Sequence, residues 1–214
     1  MPETKLAQRS TRPPIFEELV GERVIIHPYR VADSQTLYDT IQASREHIGR
    51  WLPWVKQHTD VDYTRDLLVH MDARRLLWES LDLGLYERAT NRLLGGIGLH
   101  PRDWAVPWFE IGYWLAHDAE GKGYMTEATR LLTAFAFETL HAERMEIRCD
   151  ARNERSANVA RRLGYTQEAL LRSNMFAADG ALRDTLIFSL LRSEWTSSMS
   201  TSGDTSVGNG DHPL

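Results

Sequence analysis

Cysteine is almost absent: the 214-residue chain has one, Cys149. A single thiol excludes an intrachain disulfide framework and a cysteine-built metal site. Lysine is scarce as well. It occurs at Lys5, Lys56 and Lys122 only, so arginine carries most of the positive charge. The formal charge of −5 lacks the basic excess of a nucleic-acid binder. No apolar run approaches the ~20 residues of a membrane helix, and residues 1–30 hold no apolar signal core. A cytoplasmic protein with neither nucleic-acid nor membrane partner is expected. The eight histidines are scattered and never recur at i, i+4, so their spacing carries no metal signal.

What is present fits one sizeable core, with 42% hydrophobic residues. Residues 1–14 are polar, contain Pro13-Pro14 and read as a flexible arm. Residues 196–214 are rich in Ser, Thr and Gly without apolar periodicity, and read as a disordered tail. The domain is assigned to residues 15–195.

Within it, residues 23–27 read as a strand. Asp33 or Ser34 could cap a helix carrying Leu37, Ile41 and Ile48. A tryptophan-rich loop, Trp51-Leu52-Pro53-Trp54, leads to a second helix over 63–79, with Leu67, Leu68, Met71 and Trp78 as its stripe. Strands follow at 81–87, 93–100 and 108–116, the first two joined by a hairpin loop at Ala89-Thr90-Asn91. Gly121 and Gly123 precede a long helix ending near Leu140, its face marked by Ala128, Leu132 and Ala136. A strand at 144–150, a short helix at 156–163 stopped by Gly164, and strands at 166–172 and 184–191 complete the order β-αα-βββ-α-β-α-ββ. This is not strict βαβ alternation. It predicts an α/β (α+β) fold, a mixed sheet with helices on both faces.

The segment Phe109-Glu110-Ile111-Gly112-Tyr113-Trp114-Leu115-Ala116, followed by Glu120-Gly121-Lys122-Gly123-Tyr124-Met125-Thr126, carries the chemistry. A strand runs through a glycine loop into a helix start, whose free N–H groups and dipole attract anions. The same glycines equally suit a plain turn. A Walker loop is excluded because Gly123 follows Lys122, and a dinucleotide fingerprint because Thr126 replaces its third glycine.

In context, this strand–loop–helix resembles the acyl-CoA core of the GNAT superfamily, whose pattern is Q/R-x-x-G-x-G/A. Gly123 matches, while Glu120 and Met125 depart from it. Asn153-x-x-Ser156-x-x-Val159 through Gly164-Tyr165 resembles a second motif of the RimJ/RimL branch. Trp51-Leu52-Pro53-Trp54 resembles a third, and the ending Leu190 to Trp195 a fourth. The resemblance spans residues 19–195 and implies a sheet of about seven strands with a splayed parallel pair.

That resemblance implies an acyl-CoA-dependent N-acyltransferase acting on a protein N-terminus or a small-molecule amine. The acyl donor is expected to be acetyl-CoA, with succinyl-CoA or another acyl left open, and no metal. Trp114, Leu115 and Ala116 are expected to pair with pantetheine. The amides of Gly121, Lys122, Gly123, Tyr124, Met125 and Thr126 would hold the pyrophosphate, with the Glu120 side chain turned away. Asn153 would bond the pantetheine arm. Ser156 is placed near the thioester sulfur by resemblance, and is equally an N-cap. The tyrosine that many members carry four residues later is Ala160 here. The RimL glutamate is missing from Arg172-Ser173-Asn174-Met175, which weakens the case for the ribosomal substrate of those enzymes.

Glu110, the one carboxylate of its apolar strand, is the candidate base. Its alternative role is a structural ion pair. Trp51, Trp54 and Tyr63 are candidates to line the acceptor pocket or to pack as core. His100 is a substrate-side candidate and an alternative base. Cys149 reads as a small buried residue, and Asp184 as a residue ordering the preceding loop. Arg155, Arg161 and Arg162 form a basic face for the CoA 3′-phosphate or for solvent. A homo-oligomer fits the resemblance. A catalytically weak CoA sensor or protein-binding module on the same fold is the competing reading.

Overall fold

The computed structural model describes residues 13–195; residues 1–12 of the expected arm and the whole expected tail lie outside that range. An eight-stranded sheet holds strands β1 (Leu19–Val20), β2 (Val24–Pro28), β3 (Leu81–Glu87), β4 (Leu93–Asp103), β5 (Trp108–Leu115), β6 (Arg144–Asp150), β7 (Thr166–Phe176) and β8 (Leu182–Leu191). Their order is β1-β2-β3-β4-β5-β6-β8-β7. Every pairing is antiparallel except β5 with β6. The eighth strand is the two-residue β1, too short to leave an alternation in the sequence.

Helices α1 (Ser34–Ala43), α2 (Arg45–Gly49) and α3 (Val61–Leu76) lie between β2 and β3. Helix α4 (Tyr124–Glu138) connects β5 to β6, and α5 (Glu154–Arg162) connects β6 to β7. The α3 boundaries differ from the expected 63–79. Asp60 caps the helix by accepting the Tyr63 N–H at 2.7 Å. Trp78 leaves it at φ +56° and is buried in the main core rather than on the helix stripe. Helix α5 starts two residues before Ser156 because Asn153 is its cap, with Oδ1 accepting the Ser156 N–H at 3.1 Å. Strand β7 outruns its expected end through a bulge at Ser173, whose N–H is held by Asp184 Oδ1 at 2.7 Å. That contact gives Asp184 the ordering role expected of it.

The sheet's two faces differ. One is continuous apolar core: Leu83, Ile97, Phe109, Ile111, Ile147 and Phe188 meet Ala128, Leu132, Ala136 and Phe137 of α4. Burial of such side chains is worth about 1.5–3 kcal/mol each. The other face carries glycine at opposed positions, Gly84 with Gly96 and Gly98 with Gly112. Glycine is needed there because rings lie on the strands: a Cβ on Gly96 would stand 2.4 Å from Trp114 Nε1. A smaller core of Tyr29, Leu37, Ile41, Ile48, Leu68 and Tyr86 closes that face beneath α1–α3. Among the described residues no helix is long and apolar enough to cross a membrane.

Candidate active site

Pairing between β5 and β6 stops at Ile111 and Ile147. Beyond it, Gly112–Leu115 have no partner on the β6 side and Arg148–Asp150 none on the β5 side. The splay opens a cleft of about 300 Å³ lined by both strands, Asn153, Ser156 and the α2 loop. Backbone polarity there follows strand alternation. Ala116 N–H donates to Leu94 at 2.8 Å, and the Trp114 carbonyl lies against Gly95 of β4. Tyr113 and Leu115 therefore turn their amide groups into the cleft. Of the expected trio Trp114, Leu115 and Ala116, the outer two face β4 instead.

Below the cleft, Gly121 and Gly123 adopt φ +73° and +82°. Gly123 is the N-cap of α4, and the first intrahelical bond returns from Glu127 N–H to its carbonyl at 3.1 Å. The earlier N–H groups of this first turn therefore form an anion cradle. Arg23 holds the loop, donating to the Lys122 carbonyl at 2.8 Å and to Glu127 at 2.9 Å. The surrounding depression is lined by Lys122, Thr126, Arg130, Arg155 and Arg162. Arg161 instead pairs with Glu154 and lies over Phe188. The three arginines thus do not act as one face.

Glu120 does not turn away from this region. Its carboxylate bridges His47 Nε2, at 2.6 Å, and Arg155, across the cleft mouth. His117 joins them, so that ligand atoms of His47, His117 and Glu120 lie within 4.8 Å of one another. Sequence spacing could not reveal this group, which joins α2 to the turn that follows β5. The Glu120 ion pairs account for it.

Ser156 is not an N-cap but the third residue of α5. Its hydroxyl donates to Tyr113 Oη at 3.1 Å, and that phenol donates to the Ser156 carbonyl at 3.1 Å. Burial raises the Tyr113 pKa, so the phenol keeps its proton at neutral pH. Cys149 lies beside them, its thiol pushed up to about 11, by burial first. It is therefore a poor nucleophile, as its isolation in the sequence suggests.

Across β5, beneath α1–α3, lies a second cavity of about 290 Å³. Trp54, Tyr63, Leu67 and Met71 supply its apolar walls, and Gly96, Gly98 and Gly112 its floor. Trp54 meets Trp114 and His58 edge-on, with centroids at 6.1 Å and 5.4 Å. His58 and His100 both line it, and both have pKa values lowered by burial. The two cavities share one wall: Leu52, Gly112, Tyr113 and Trp114.

The expected site residues divide between these spaces. Trp54, Tyr63 and His100 line the second cavity, whereas Trp51 lines the cleft. Glu110 also lines the cleft, but its Oε2 accepts from Arg102 at 2.6 Å and lies 3.5 Å from Arg148. The ion-pair role is thus present. Sequence reading overlooked Tyr113, His58 and the Ser80–Asp82 pair, since none carries a motif.

A splayed parallel pair above a glycine-started helix defines an acyl-CoA transferase scaffold. The acetyltransferase (GNAT) domain model matches residues 23–166, and the chain belongs to the GNAT family of acyl-CoA-dependent N-acyltransferases. YdaF of Bacillus subtilis (strain 168), provisionally named a ribosomal N-acetyltransferase, is 32% identical over 85% of this chain and 98% of its own length. A crystal structure provisionally named an acetyltransferase superposes with a TM-score of 0.78 at 30% identity, over 85% of this chain and all of that one. The ribosomal L7/L12 alpha-N-protein acetyltransferase RimL, solved with coenzyme A, reaches 0.77 at 18% identity, over 82% and 98%.

Proposed function

We propose that the chain transfers acetyl from acetyl-CoA to a primary amine whose apolar flank occupies the glycine-floored cavity. The observation that carries this reading is the wall common to the two cavities at Gly112–Trp114. A thioester in the cleft and an amine in the cavity meet there without crossing the sheet. Such convergence supplies proximity and orientation. Leu115 and Tyr113 offer backbone pairing to pantetheine, and the residues from Gly121 to Thr126 offer amides to the pyrophosphate. Asn153, which caps α5 and lines the cleft, is the candidate to bond the same arm. Attack of a neutral amine forms the C–N bond and an oxyanion; collapse breaks C–S. Ser156, backed by Tyr113, is the proton donor for the thiolate. Glu110 and His100, opposed across β5 and β4, are the candidates for the base.

The acceptor class is an α-amine of a protein N-terminus or a small apolar amine, and relatives named for ribosomal N-terminal acetylation favour the former. A carboxylated acyl such as succinyl is the second reading, favoured by Arg183, which lines the cleft near Cys149. Exposed Leu170, Phe176 and Leu182 on the edge hairpin suit a contact between two copies, which sedimentation would detect. The decisive experiment offers acetyl-CoA and succinyl-CoA to peptides beginning Ser, Ala or Met, and to phenethylamine, with mass readout. Acylation of one class identifies the substrate. Thermal stabilisation by CoA with no amine acylated would instead support the sensor.

A further inference from the structure

The glycine-floored cavity contains a hydrogen-bonded chain that no motif announces. Ser80 Oγ donates its one proton to Asp82 Oδ2 at 2.7 Å. The same oxygen lies 3.0 Å from His100 Nδ1. With its hydrogen already given away, Ser80 can only accept from that nitrogen. His100 therefore carries its proton on Nδ1, and in the neutral ring Nε2 is the bare lone pair.

That nitrogen lies over the floor. A Cβ on Gly98 would stand 2.8 Å from it, and one on Gly112 3.4 Å. Gly112 is the first β5 residue beyond the β5–β6 pairing, and it lines both cavities. The bare nitrogen thus sits where the acceptor amine must meet the thioester.

We infer that His100 is the catalytic base that deprotonates the acceptor amine, with Ser80 and Asp82 as its positioning residues. This rests on the acetyl-transfer reading above. The ammonium gives one proton to Nε2, and its freed lone pair attacks the thioester carbon. As C–S breaks, the proton shed by the new amide nitrogen replaces the one Ser156 gives the thiolate. The imidazolium then releases its proton to solvent, leaving amide, free CoA thiol and one proton.

The groups facing His100 suit that cycle. Asp82 from β3 and Glu110 from β5 favour the imidazolium, Arg102 of β4 and Arg74 of α3 oppose it, and burial keeps the resting ring neutral. His58 is the rival in the same cavity. Its Nδ1 bonds Thr64, whose proton goes to the Asp60 backbone carbonyl, and its charged neighbour is Arg45. Among the described residues no carboxylate forms an ion pair with His58, in contrast to the Asp82 that backs His100 through Ser80. Glu110 is held by Arg102 and lies near Arg148, and from its place opposite His100 it acts as a counter-charge to the imidazolium.

The test compares wild type, His100→Gln, Ser80→Ala, Glu110→Gln and His58→Gln. Acetyl-CoA is used with the fastest of the Ser-, Ala- and Met-initiated peptides or phenethylamine, from pH 5.5 to 9.5. Wild-type kcat/KM should level off above the histidine's titration. His100→Gln should lose about 10²–10⁴-fold at neutral pH. Its residual rate should climb roughly tenfold per pH unit until the acceptor's own amine is neutral, near ~8 for an α-amine. Ser80→Ala should fall between them, and His58→Gln should keep the wild-type profile shape. Unchanged stabilisation by CoA verifies folding. Nitrogen-15 histidine spectra need no acceptor and should report the Nδ1–H tautomer at His100, changed by Ser80→Ala. An Nε2–H tautomer overturns the inference whatever the turnover, as does a folded His100→Gln that keeps the wild-type profile, or a levelling-off that is abolished in Glu110→Gln and kept in His100→Gln. Wild type that acylates no amine while His100 shows the expected tautomer would overturn the acetyl-transfer reading, and with it the role as base.

Discussion

The two sides of β5, the cleft proposed for the cofactor and the cavity proposed for the acceptor, are made of different material. Towards the cleft the chain offers main chain: the amide groups of Tyr113 and Leu115 and the turn through Gly121 and Gly123. Towards the cavity it offers side chains, namely Trp54, Tyr63, His58 and His100 over a glycine floor. Main-chain recognition survives wide change in sequence, because any residue supplies the same amide. Side-chain recognition is specific to each protein. A family can thus keep one donor while its acceptors diverge, which fits a chain that aligns over 85% of its length with a relative only 32% identical.

The Ser156–Tyr113 pair breaks this division, being a side-chain device set in the wall of the cleft. Ser156→Ala should lower kcat by about 10²–10³-fold, as expected for loss of a general acid, with CoA affinity held. Tyr113→Phe should act in the same direction, and the double variant should cost little more than the worse single one, since the two act as a unit. Additive losses would separate them. Gly112→Val attacks the shared wall. Valine suits a strand, but its methyl groups would displace His100, and a displacement of ~1 Å at a reacting pair costs about 10²-fold. CoA-induced thermal stabilisation should persist, and its loss would show that the two sides are not independent.

The contrast also explains what the sequence made legible. Glycines needed for φ > 0 and strand–helix boundaries leave marks in the chain, so the fold and the glycine turn into α4 were readable around Gly123. The parallel pair was expected from the family resemblance of the strand–loop–helix segment, and β5 and β6 form it. Side-chain constellations leave none: Ser80, Asp82 and His100 gather on one face through the β3–β4 register. Glu110 could be named as the strand's one carboxylate, but Arg102 and Arg148 beside it could not be foreseen. Trp51 and Trp54, three residues apart, go to opposite sides of β5 because a turn separates them.

On the cofactor side, Gly123→Ala probes the main-chain half alone. A left-handed alanine costs about 1–2 kcal/mol, and its Cβ would press on Arg23 Nη2 at 3.3 Å. CoA should bind roughly tenfold more weakly, since about 1.4 kcal/mol is a factor of ten, while acceptor KM at saturating acetyl-CoA stays unchanged. A matching rise in that KM would tie the halves together.

The smallest effect is on stability, and it belongs to the acceptor side. His58 and His100 both have folded pKa values below the ordinary 6.5, burial being the first cause in each. Below pH 6.5 the unfolded chain therefore binds more protons than the folded one. The contribution of both rings is complete above that pH and is lost as pH falls through the folded values. The carboxylates act elsewhere. Glu168, held at about 2 by the Arg144 hydrogen bond, loses its contribution only between its ordinary value near 4.5 and that point. Asp150 and Asp60 are likewise lowered, from an ordinary value near 3.8. Urea denaturation between pH 5 and 7.5 thus covers the range in which the cavity histidines act, and their variants isolate their share, provided the m-value stays constant. His58→Gln and His100→Gln should each flatten part of the decline, and the double variant more. A decline untouched by both would place the acid-sensitive groups outside the acceptor cavity.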